Sequence, residues 1–397
     1  MYVNKPPMGW NTWNTFAENI NEELILQAAD TMVESGLKDA GYEYVVIDDI
    51  WQLKERDKDG RLVPDPKKFP HGMKYIADYI HAKGLKFGMY SCAGYMTCAG
   101  YPGSYGYEWV DAQSFAQWDV DFLKYDYCFH PSSVSADVLY KRMSLALRNC
   151  GRDILLSACS WGMDHTKQWI KETGAHMWRS TGDIFDSWES MKGIATSQIS
   201  RQEYNGHGCF NDMDMLIVGM NGKGNVGLLG CTPEEYRMHF SYWALLNSPL
   251  MIGCDIRDMD EETKKTLLNK DVIAINQDAW CQPFIVLNCH RKWEFNENRG
   301  SEEPFYKNYP TDQVIFAKYL NNGDIALGLF NFSEEEMGCF NTTVHFDTLG
   351  LPVSAGKRLE MTDLWTGEKE ISSNGTVMTY GKLAPHSFRL FRGKIIE

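Results

Sequence analysis

The chain has 397 residues with 44% hydrophobic and 13% aromatic side chains, which predicts two well-packed domains rather than a single core. Its formal net charge is −14 and its Lys and Arg residues form no dense run, so binding of nucleic acid through phosphate neutralisation is excluded. No apolar stretch reaches the roughly 20 residues that a transmembrane helix needs, so no membrane interaction is expected.

The N-terminal segment MYVNKPPMGWNTWNTF contains neither the basic nor the continuous apolar part of a signal peptide. We therefore expect a cytoplasmic protein, or a secreted one if a leader precedes this sequence. The 11 cysteines include no Cys-x-x-Cys pair, and the His and acidic residues show no metal-ligand spacing. We expect neither a metal nor a cofactor.

Short apolar runs alternate with segments of helical periodicity over residues 1–282. Segment 21–35 predicts a helix with acidic residues in its first turn, and a second helix should begin at the capping box of Thr232 and Glu235. Eight runs are candidate strands: Met8–Trp10, Tyr44–Asp48, Lys86–Tyr90, Phe122–Asp126, Ile154–Ala158, His176–Arg179, Phe210–Asp212 and Leu250–Gly253. This alternation predicts parallel strands joined by right-handed crossovers.

Polar or reactive residues end or follow nearly every candidate strand. They are Asp48, Asp49, Tyr90, Lys124, Asp126, Ser160, Trp161, Arg179, Asp212 and Asp214. In a closed barrel the carboxyl ends of all strands converge on one mouth, whereas an open sheet spreads them along a line. We therefore predict an α/β fold in which residues 1–282 form a catalytic (β/α)8 TIM barrel.

Residues 283–397 show a different pattern of short apolar runs, such as QVIFAKYL, DIALGLFNF and SFRLFRG, separated by Asn, Asp and Gly. The stretch YLNNGDIALG within them predicts a hairpin. We predict a C-terminal antiparallel β-sandwich domain. It contains no cluster of catalytic residue types, so we assign it a supporting role.

Lys124 and Asp126 lie two residues apart on one face of a candidate strand, so the ammonium group should keep the carboxylate ionised. Such a carboxylate suits a nucleophile or a metal ligand, and an ordinary ion pair at a strand end is the plainer alternative. If this carboxylate acts as the nucleophile of glycoside hydrolysis, a second acidic residue must donate a proton. Asp183 and Asp186 in MWRSTGDIFDSW are candidates, although Asp186 equally suits a helix N-cap.

The segment GKGNVG, residues 222–227, matches the glycine pattern of a dinucleotide site. It does not directly follow a predicted strand, and the next predicted helix starts only after Thr232. An oxidoreductase is therefore a weaker alternative than a hydrolase, and we do not expect nicotinamide binding.

Several segments, taken together from Pro6 to Arg392, resemble one known family. In chain order they are PPMGWNTW, VVIDDIWQ, TCAGYPGSYGYE, DFLKYDYC, WRSTGDIFDSW, FNDMDML, LNSPLMIGCDI, VIAINQD, TDLWTGE and LAPHSFRLFR. They resemble the signatures of the α-galactosidase and α-N-acetylgalactosaminidase family of glycoside hydrolases, the melibiases. The resemblance implies a retaining exo-glycosidase that acts on a small carbohydrate, and homo-oligomers are frequent in the family.

The resemblance also implies roles for individual residues. Asp126 would be the nucleophile and Asp183 the acid/base, protonated at rest, with their carboxyl groups about 5–5.5 Å apart. The implied substrate-binding residues are Asp48 and Asp49 at the hydroxyls on carbons 4 and 6 of galactose, Lys124 and Tyr90 beside them, Arg179 near carbon 2, Trp10 as an apolar wall, Asp214 and Met215 on the pocket floor, and Cys98, Ser160, Trp161 and Met163.

Two positions give opposite indications about the substituent on carbon 2. Ser160 resembles the α-N-acetylgalactosaminidase branch, whose small residues leave room for an acetamido group, whereas Met163 is bulky as in α-galactosidases. We expect α-galactosidase activity. The alternatives are α-N-acetylgalactosaminidase, β-L-arabinopyranosidase and a non-catalytic sugar-binding protein. Cys98 and Cys128 match a cysteine pair of the family, either as a disulfide or as free thiols beside the pocket.

Overall fold

A computed structural model of the chain describes residues 3–199, 201, 204–290, 312–339, 341–351, 356–372 and 377–397. Its first part contains eight parallel strands: β1 Met8–Asn11, β2 Tyr44–Val46, β3 Lys86–Cys92, β4 Phe122–Asp126, β5 Leu155–Cys159, β6 Met177–Arg179, β7 Phe210–Asp212 and β8 Leu250–Ile252. Neighbouring strands pair in the order β8-β1-β2-β3-β4-β5-β6-β7.

The sheet closes on itself beside β7. Leu216, which follows β7, forms a parallel bridge with Ile252 of β8. The backbone N–H of Leu216 donates to the carbonyl of Met251 at 2.7 Å, and the N–H of Gly253 donates to the carbonyl of Leu216 at 3.0 Å. The predicted (β/α)8 barrel is therefore confirmed, and the carboxyl ends of its strands meet at one mouth.

The helices of the described residues lie mainly between the barrel strands. They are α1 Trp13–Phe16, α2 Glu22–Glu34, α3 Leu37–Ala40, α4 Gly72–Ala82, α5 Glu108–Gln117, α6 Ala136–Arg148, α7 Thr166–Thr173, α8 Trp188–Ser197, α9 Pro233–Leu245, α10 Glu261–Leu267 and α11 Lys270–Asn276. Asn21 caps α2 by accepting the N–H of Leu24 at 2.9 Å. The predicted capping box of Thr232 and Glu235 is present at the start of α9.

The C-terminal part is antiparallel. Its strands are β9 Ile285–His290, β10 Gln313–Tyr319, β11 Ile325–Asn331, β12 Thr343–His345, β13 Arg358–Asp363, β14 Lys369–Ile371, β15 Val377–Thr379 and β16 Ser387–Ile396. Six of them form one sheet in the order β9-β10-β11-β16-β13-β14, and β12 pairs with β15 in a second sheet. A separate apolar core that includes Leu327 and Val344 joins the two sheets, so the predicted β-sandwich is confirmed.

The hairpin predicted in YLNNGDIALG is present, because Tyr319 at the end of β10 pairs with Ile325 at the start of β11. Strand pairing changes from parallel to antiparallel between Ile252 and Ile285. The domain boundary between residues 282 and 283 falls in this interval and stays a prediction. Along the described part of the chain, no helix combines the length and the apolar character needed to cross a bilayer.

The six-stranded sheet packs on the barrel through α9. The ring of Tyr242 lies 4.9 Å from that of Phe330 and 5.3 Å from that of Phe332, measured between centroids. The indole N–H of Trp365 donates to the hydroxyl of Ser241 at 2.9 Å. Side chains of both parts therefore share one continuous apolar core.

Lys318 of β10 is a buried cation at this interface. Its Nζ donates to Oδ1 of Asn247 at 2.6 Å and to the carbonyl of Ile275 at 2.7 Å. Burial lowers the pKa of Lys318 to about 8, although Cys281 and Asp278 act in the opposite direction. Keeping this ammonium charged in the folded protein therefore costs free energy at neutral pH.

We predict that the protein gains stability relative to a Lys318→Met variant as the pH rises from 8 to 10. In this range the unfolded chain still binds the lysine proton that the folded chain has lost, so rising pH favours the folded state. Thermal unfolding of both proteins between pH 7 and pH 10 measures the effect. The difference in Tm between them should shift by the equivalent of about 1–3 kcal/mol.

The control for this prediction is Lys369→Met, because the side chain of Lys369 is 62% exposed in the same sheet. Its Tm difference from the wild type should not change over this pH range. A constant difference for Lys318→Met as well would contradict the lowered pKa.

Candidate active site

Asp126 is the last residue of β4 and is only 6% exposed. Its Oδ2 accepts a hydrogen bond from the hydroxyl of Tyr90 at 3.0 Å, and its Oδ1 accepts one from the backbone N–H of Tyr127 at 2.9 Å. Burial raises the pKa of Asp126 to about 6, an effect that the charge of Lys124 only partly offsets. The carboxylate is therefore ionised at neutral pH, but its pKa is higher than the sequence, with a lysine two residues away, led us to expect.

Lys124 makes its ion pair with Asp48 rather than with Asp126. Its Nζ lies 2.8 Å from Oδ2 of Asp48, and the same oxygen accepts a hydrogen bond from Nδ2 of Asn11 at 2.7 Å. Burial acts to lower the pKa of Lys124, but the carboxylates of Asp48 and Asp126 raise it above its ordinary value. Asn11 is absent from the predicted set, although it ends a strand with a polar residue as the other members do.

Asp48 and Asp49 leave the barrel sheet in a local turn, since β2 ends at Val46 and not at Asp48 as predicted. The N–H of Asp49 donates to Oδ1 of Asp48 at 2.9 Å, and the N–H of Ile50, at a φ of +69°, donates to Oδ1 of Asp49 at 2.7 Å. Burial raises the pKa of Asp49, and the hydrogen bond from the N–H of Ala99 lowers it. The turn lets both acids lie at the carboxyl end of β2, although neighbouring strand residues point to opposite faces.

Cys98 and Cys128 form a disulfide in this structure, with their Cα atoms 5.1 Å apart. Sγ of Cys98 lies 3.5 Å from Oδ2 of Asp126. Within the described residues, these three side chains form a group with the spacing of metal ligands. The disulfide occupies both sulfur atoms, and a metal would need them as thiolates. The arrangement therefore suits a cross-link between the loops that follow β3 and β4.

Arg179 at the end of β6 is the second cation of the site, and it is buried. Its Nη2 lies 2.9 Å from Oδ1 of Asp183, and its Nη1 lies 2.9 Å from Oδ1 of Asp214. Desolvation acts to raise the pKa of Asp183, but the charges of Arg179 and Lys124 lower it below its ordinary value. Asp183 is therefore ionised in this arrangement. The expectation that it rests protonated is wrong here, because the ion pair with Arg179 favours the carboxylate.

Asp214 adopts a φ of +75° just after β7, and its Oδ2 accepts the N–H of Ile184 at 2.7 Å. This bond fixes the loop after β6 to the floor of the barrel mouth. Asp212 is a further buried acid, which the sequence placed at a strand end without assigning it a role, and its Oδ1 accepts the N–H of Asp214 at 2.9 Å. Burial raises the pKa of Asp212 to about 6 despite the nearby charge of Arg179. The alternating acids of FNDMDML were the sequence signal for it.

Lys124 and Arg179 line one pocket. It is lined by Asn11, Phe122, Lys124, Ser157, Met177, Arg179, Asp212, Asp214, Met215 and Met251. Asp183 is close enough to Asp126 for its charge to raise the pKa of Asp126. A concave site with fixed acceptors, two cations and a few apolar side chains suits a small polyhydroxylated ligand.

Two family models match the chain. The model of alpha galactosidase A matches residues 5–278, and the model of the alpha galactosidase C-terminal beta sandwich domain matches residues 310–392. The chain belongs to the melibiase family of glycoside hydrolases.

Individual relatives support this assignment. The melibiase described here is 51% identical to alpha-galactosidase 3 of Arabidopsis thaliana over 386 residues, which are 97% of this chain and 81% of that protein. It is 34% identical to alpha-galactosidase I of Mortierella vinacea, with a TM-score of 0.83 over 98% of this chain and 97% of that one. A β-L-arabinopyranosidase of Geobacillus stearothermophilus gives a TM-score of 0.83 at 25% identity, over 99% and 97% of the two chains.

Most of the predicted site residues of this melibiase belong to two contact networks, and Met215 and Trp10 lie outside them. The network around Lys124 contains Tyr90, Asp48 and Asp126, with Asp49 and Cys98 adjoining it. The network around Arg179 contains Asp183 and Asp214. Met215 lines the pocket between the networks. Trp10 is fully buried, and its indole N–H donates to the carbonyl of Cys254 at 2.8 Å.

Ser160, Trp161 and Met163 lie in the loop that follows β5. Ser160 is fully buried, and its hydroxyl lies 2.6 Å from Oγ1 of Thr166, so it is engaged within the loop. Met163 is 48% exposed. A ligand at this side of the mouth therefore meets Met163 more readily than Ser160.

Asp186 has neither of the roles considered for it. It is buried, its Oδ1 accepts the hydroxyl of Tyr236 at 2.8 Å, and its Oδ2 accepts the N–H of Gly222 at 2.6 Å. Ser187 rather than Asp186 caps α8. Segment 222–227 is therefore tied to the loop after β6, and it leads into the short strand Gly227–Gly230 rather than into a helix.

We expect Tyr236→Phe to destabilise the protein by about 1–3 kcal/mol, because buried Asp186 and the N–H of Asn221 both lose a hydrogen-bond partner. The value of kcat should change little, since these groups do not touch Asp126. Thermal unfolding and steady-state kinetics measure the two effects.

Tyr125→Phe is the matched control, because the buried hydroxyl of Tyr125 has no hydrogen-bond partner among the described residues. It should leave Tm nearly unchanged. Equal destabilisation by the two variants would refute the structural role assigned to Asp186.

Proposed function

We propose that this melibiase is a retaining exo-glycosidase that hydrolyses terminal α-galactosyl residues of oligosaccharides or glycoconjugates. The observation that carries the proposal is the pair of carboxyl groups beside the pocket-lining cations Lys124 and Arg179: anchored Asp126 and exposed Asp183 lie within electrostatic reach of each other. Retaining glycosidases act with such a pair of carboxyl groups. The α-galactosidases among the relatives support the choice of sugar.

The proposed reaction has two steps. Asp126 attacks the anomeric carbon while Asp183 gives its proton to the glycosidic oxygen, so the C–O bond breaks and the aglycone leaves as an alcohol. Asp183 then takes a proton from water, which attacks the same carbon, breaks the ester to Asp126 and releases galactose with its original configuration. A carboxyl separation of about 5–5.5 Å stays a prediction of this mechanism.

The hydrogen bonds on Asp126 suit it for attack. The hydroxyl of Tyr90 and the N–H of Tyr127 hold one oxygen each, so the carboxylate has a fixed orientation before substrate binds. Its pKa of about 6 leaves it ionised at neutral pH while it stays a stronger base than an ordinary aspartate.

Asp183 needs a proton before it can act as an acid, and its ion pair with Arg179 opposes this. We infer that the 2-hydroxyl of the substrate replaces Asp183 on Nη2 of Arg179. Loss of that contact raises the pKa of Asp183, because Arg179 has the larger of the two charge effects that lower it. The displaced carboxyl group, already exposed at the mouth, then takes a proton from solvent.

The network of Asp48, Asp49 and Lys124 is the proposed site for the hydroxyls on carbons 4 and 6. Protein hydrogen bonds already orient these groups, so a sugar that fails to contact them leaves part of their hydrogen-bonding capacity unused in a water-poor site. In this proposal Trp10 is an apolar wall, and Asp214 and Met215 form the pocket floor.

The alternatives fit the structure less well. Ser160 is the feature that favours α-N-acetylgalactosaminidase, yet its hydroxyl is buried and bonded to Thr166, whereas bulky Met163 is exposed. β-L-Arabinopyranosidase is disfavoured because identity to that enzyme is 25% against 51% to an α-galactosidase. A non-catalytic sugar-binding protein would not need both Asp126 and Asp183.

The proposed location is cytoplasmic, with small imported oligosaccharides as substrates, and the quaternary state is proposed to be a homo-oligomer. Most of the free cysteines are buried thiols, which suits a reducing compartment, whereas the disulfide of Cys98 and Cys128 suits an oxidising one. Cell fractionation decides the location, and light scattering after size-exclusion chromatography measures the oligomer.

The proposed function is tested by hydrolysis of nitrophenyl α-galactoside and nitrophenyl α-N-acetylgalactosaminide side by side. We expect the galactoside to react faster, and Asp126→Asn to lower kcat by about 10⁴-fold or more, because the amide cannot attack the anomeric carbon. Asp347→Asn, at an exposed position of the sandwich, is the matched control and should be fully active. Faster hydrolysis of the acetamido sugar would overturn the choice of sugar but not the mechanism.

The pH profile of kcat/KM should fall on the alkaline side with an apparent pKa near 6, because the reaction needs one proton on the pair Asp126 and Asp183, and the free enzyme loses its last one there. Lys124→Met should move this limb to higher pH, since the variant loses the charge that lowers the pKa of Asp126. Initial rates between pH 4 and pH 9 measure the limb. An alkaline limb that stays in place in Lys124→Met would show that another group limits the rate.

A further inference from the structure

The loop between β5 and α7 has a backbone shape that its sequence does not favour. Trp161, Gly162, Asp164 and His165 all have positive φ values, of 56°, 77°, 52° and 55°. Each non-glycine residue in this region costs about 1–2 kcal/mol, so other contacts must hold the loop. Met163 lies in the middle of this segment.

Side-chain bonds hold the loop on the side of β4. The hydroxyl of Tyr127 donates to Oδ2 of Asp164 at 2.6 Å, and the indole N–H of Trp169 donates to the carbonyl of Asp164 at 2.8 Å. Tyr127 is only 1% exposed, and its ring stacks on His130 with centroids 3.9 Å apart. Because Tyr127 directly follows Asp126, the loop is tied to the segment that also positions Asp126.

Backbone packing holds the loop on the side of β6. A Cβ atom at Gly162 would lie 2.3 Å from the carbonyl oxygen of Ser180, so the two backbones touch. Ser180 directly follows Arg179. Met163 therefore lies between Gly162, which packs on the residue after Arg179, and Asp164, which is bonded to the residue after Asp126.

We propose that the Tyr127–Asp164 hydrogen bond positions Met163 against the substituent on carbon 2 of the substrate and so excludes acetamido sugars. The proposal rests on the function proposed above, and it makes Tyr127 and Asp164 positioning residues for sugar selectivity. Ser160 does not provide this selectivity, because its hydroxyl is bonded to Thr166 inside the loop. The Tyr127–Asp164 hydrogen bond is the tether of the loop. Without the tether the loop relaxes from its positive-φ shape and Met163 moves away, which leaves room for the acetamido group.

The test uses the ratio of kcat/KM for nitrophenyl α-N-acetylgalactosaminide to that for nitrophenyl α-galactoside. Tyr127→Phe removes only the hydroxyl, and Asp164→Gly removes the side chain while tolerating the positive φ. Each variant should raise the ratio about tenfold or more, and the double variant should match the single ones because both remove one bond.

Two controls separate positioning from general loosening. Asp164→Asn still accepts the hydrogen bond and tolerates the left-handed conformation, so its ratio should stay within about twofold of the wild type. Tyr140→Phe removes a neighbouring buried hydroxyl that has no hydrogen-bond partner among the described residues, so its ratio should not change. An unchanged ratio in Tyr127→Phe overturns the proposal, as does an equal rise in Asp164→Asn and Asp164→Gly.

The tether and the proposed function can fail independently of each other. If the wild type prefers the acetamido sugar, or cleaves neither sugar, the proposed function fails. The tether is then read from the ratio of the dissociation constants of free galactose and N-acetylgalactosamine, measured by calorimetry in the wild type and in Tyr127→Phe. A ratio that does not move in that measurement overturns the tether by itself.

Discussion

Two cations, half-buried Lys124 and buried Arg179, determine the charge state of the acidic residues at the barrel mouth. Burial raises the pKa of Asp126 and of Asp212 to about 6, and the two cations act against that rise. Burying an ionised carboxylate without a partner costs several kcal/mol, so loss of the cations would raise the pKa values of these acids further and favour their neutral forms. The proposed nucleophile depends on this balance, because only its ionised form can attack.

The barrel architecture supplies this balance. The cations come from β4 and β6, and the acids come from the ends of β2, β4 and β7. Neighbouring strands of a sheet lie about 4.8 Å apart, so a long Lys or Arg side chain at one strand end can reach acids on other strands. Lys124 reaches Asp48 from β4 in this way, and Arg179 reaches Asp214 from β6.

The β-sandwich supports the mouth through α9. Tyr242 of this helix packs on the aromatic side chains of the sandwich, and Trp243 beside it donates its indole N–H to the carbonyl of Asp214 at 2.8 Å. Asp214 in turn receives Arg179 and the N–H of Ile184. Among the described residues, none of the sandwich lines the pocket, yet contacts run from its sheet to the pocket-lining Asp214 through two adjacent residues of one helix.

The sequence alone was sufficient to predict the barrel, the sandwich and the capping box at the start of α9, because these features follow from local periodicity and from hydrogen bonds between near neighbours. It was also sufficient to place Asp126, Lys124 and Asp214 at strand ends. The roles of these residues came from the resemblance to the melibiases and remain proposals.

Tertiary structure decided which groups pair and which are charged. In the folded chain Lys124 pairs with Asp48, Asp183 forms an ion pair with Arg179 as a carboxylate, and Asn11 lines the pocket. Residues 48 and 124 are 76 positions apart, so their contact depends on how the strands are arranged around the barrel. The pKa of each group depends on burial and on charges from distant segments, and neither quantity is encoded in the residues next to it in the chain.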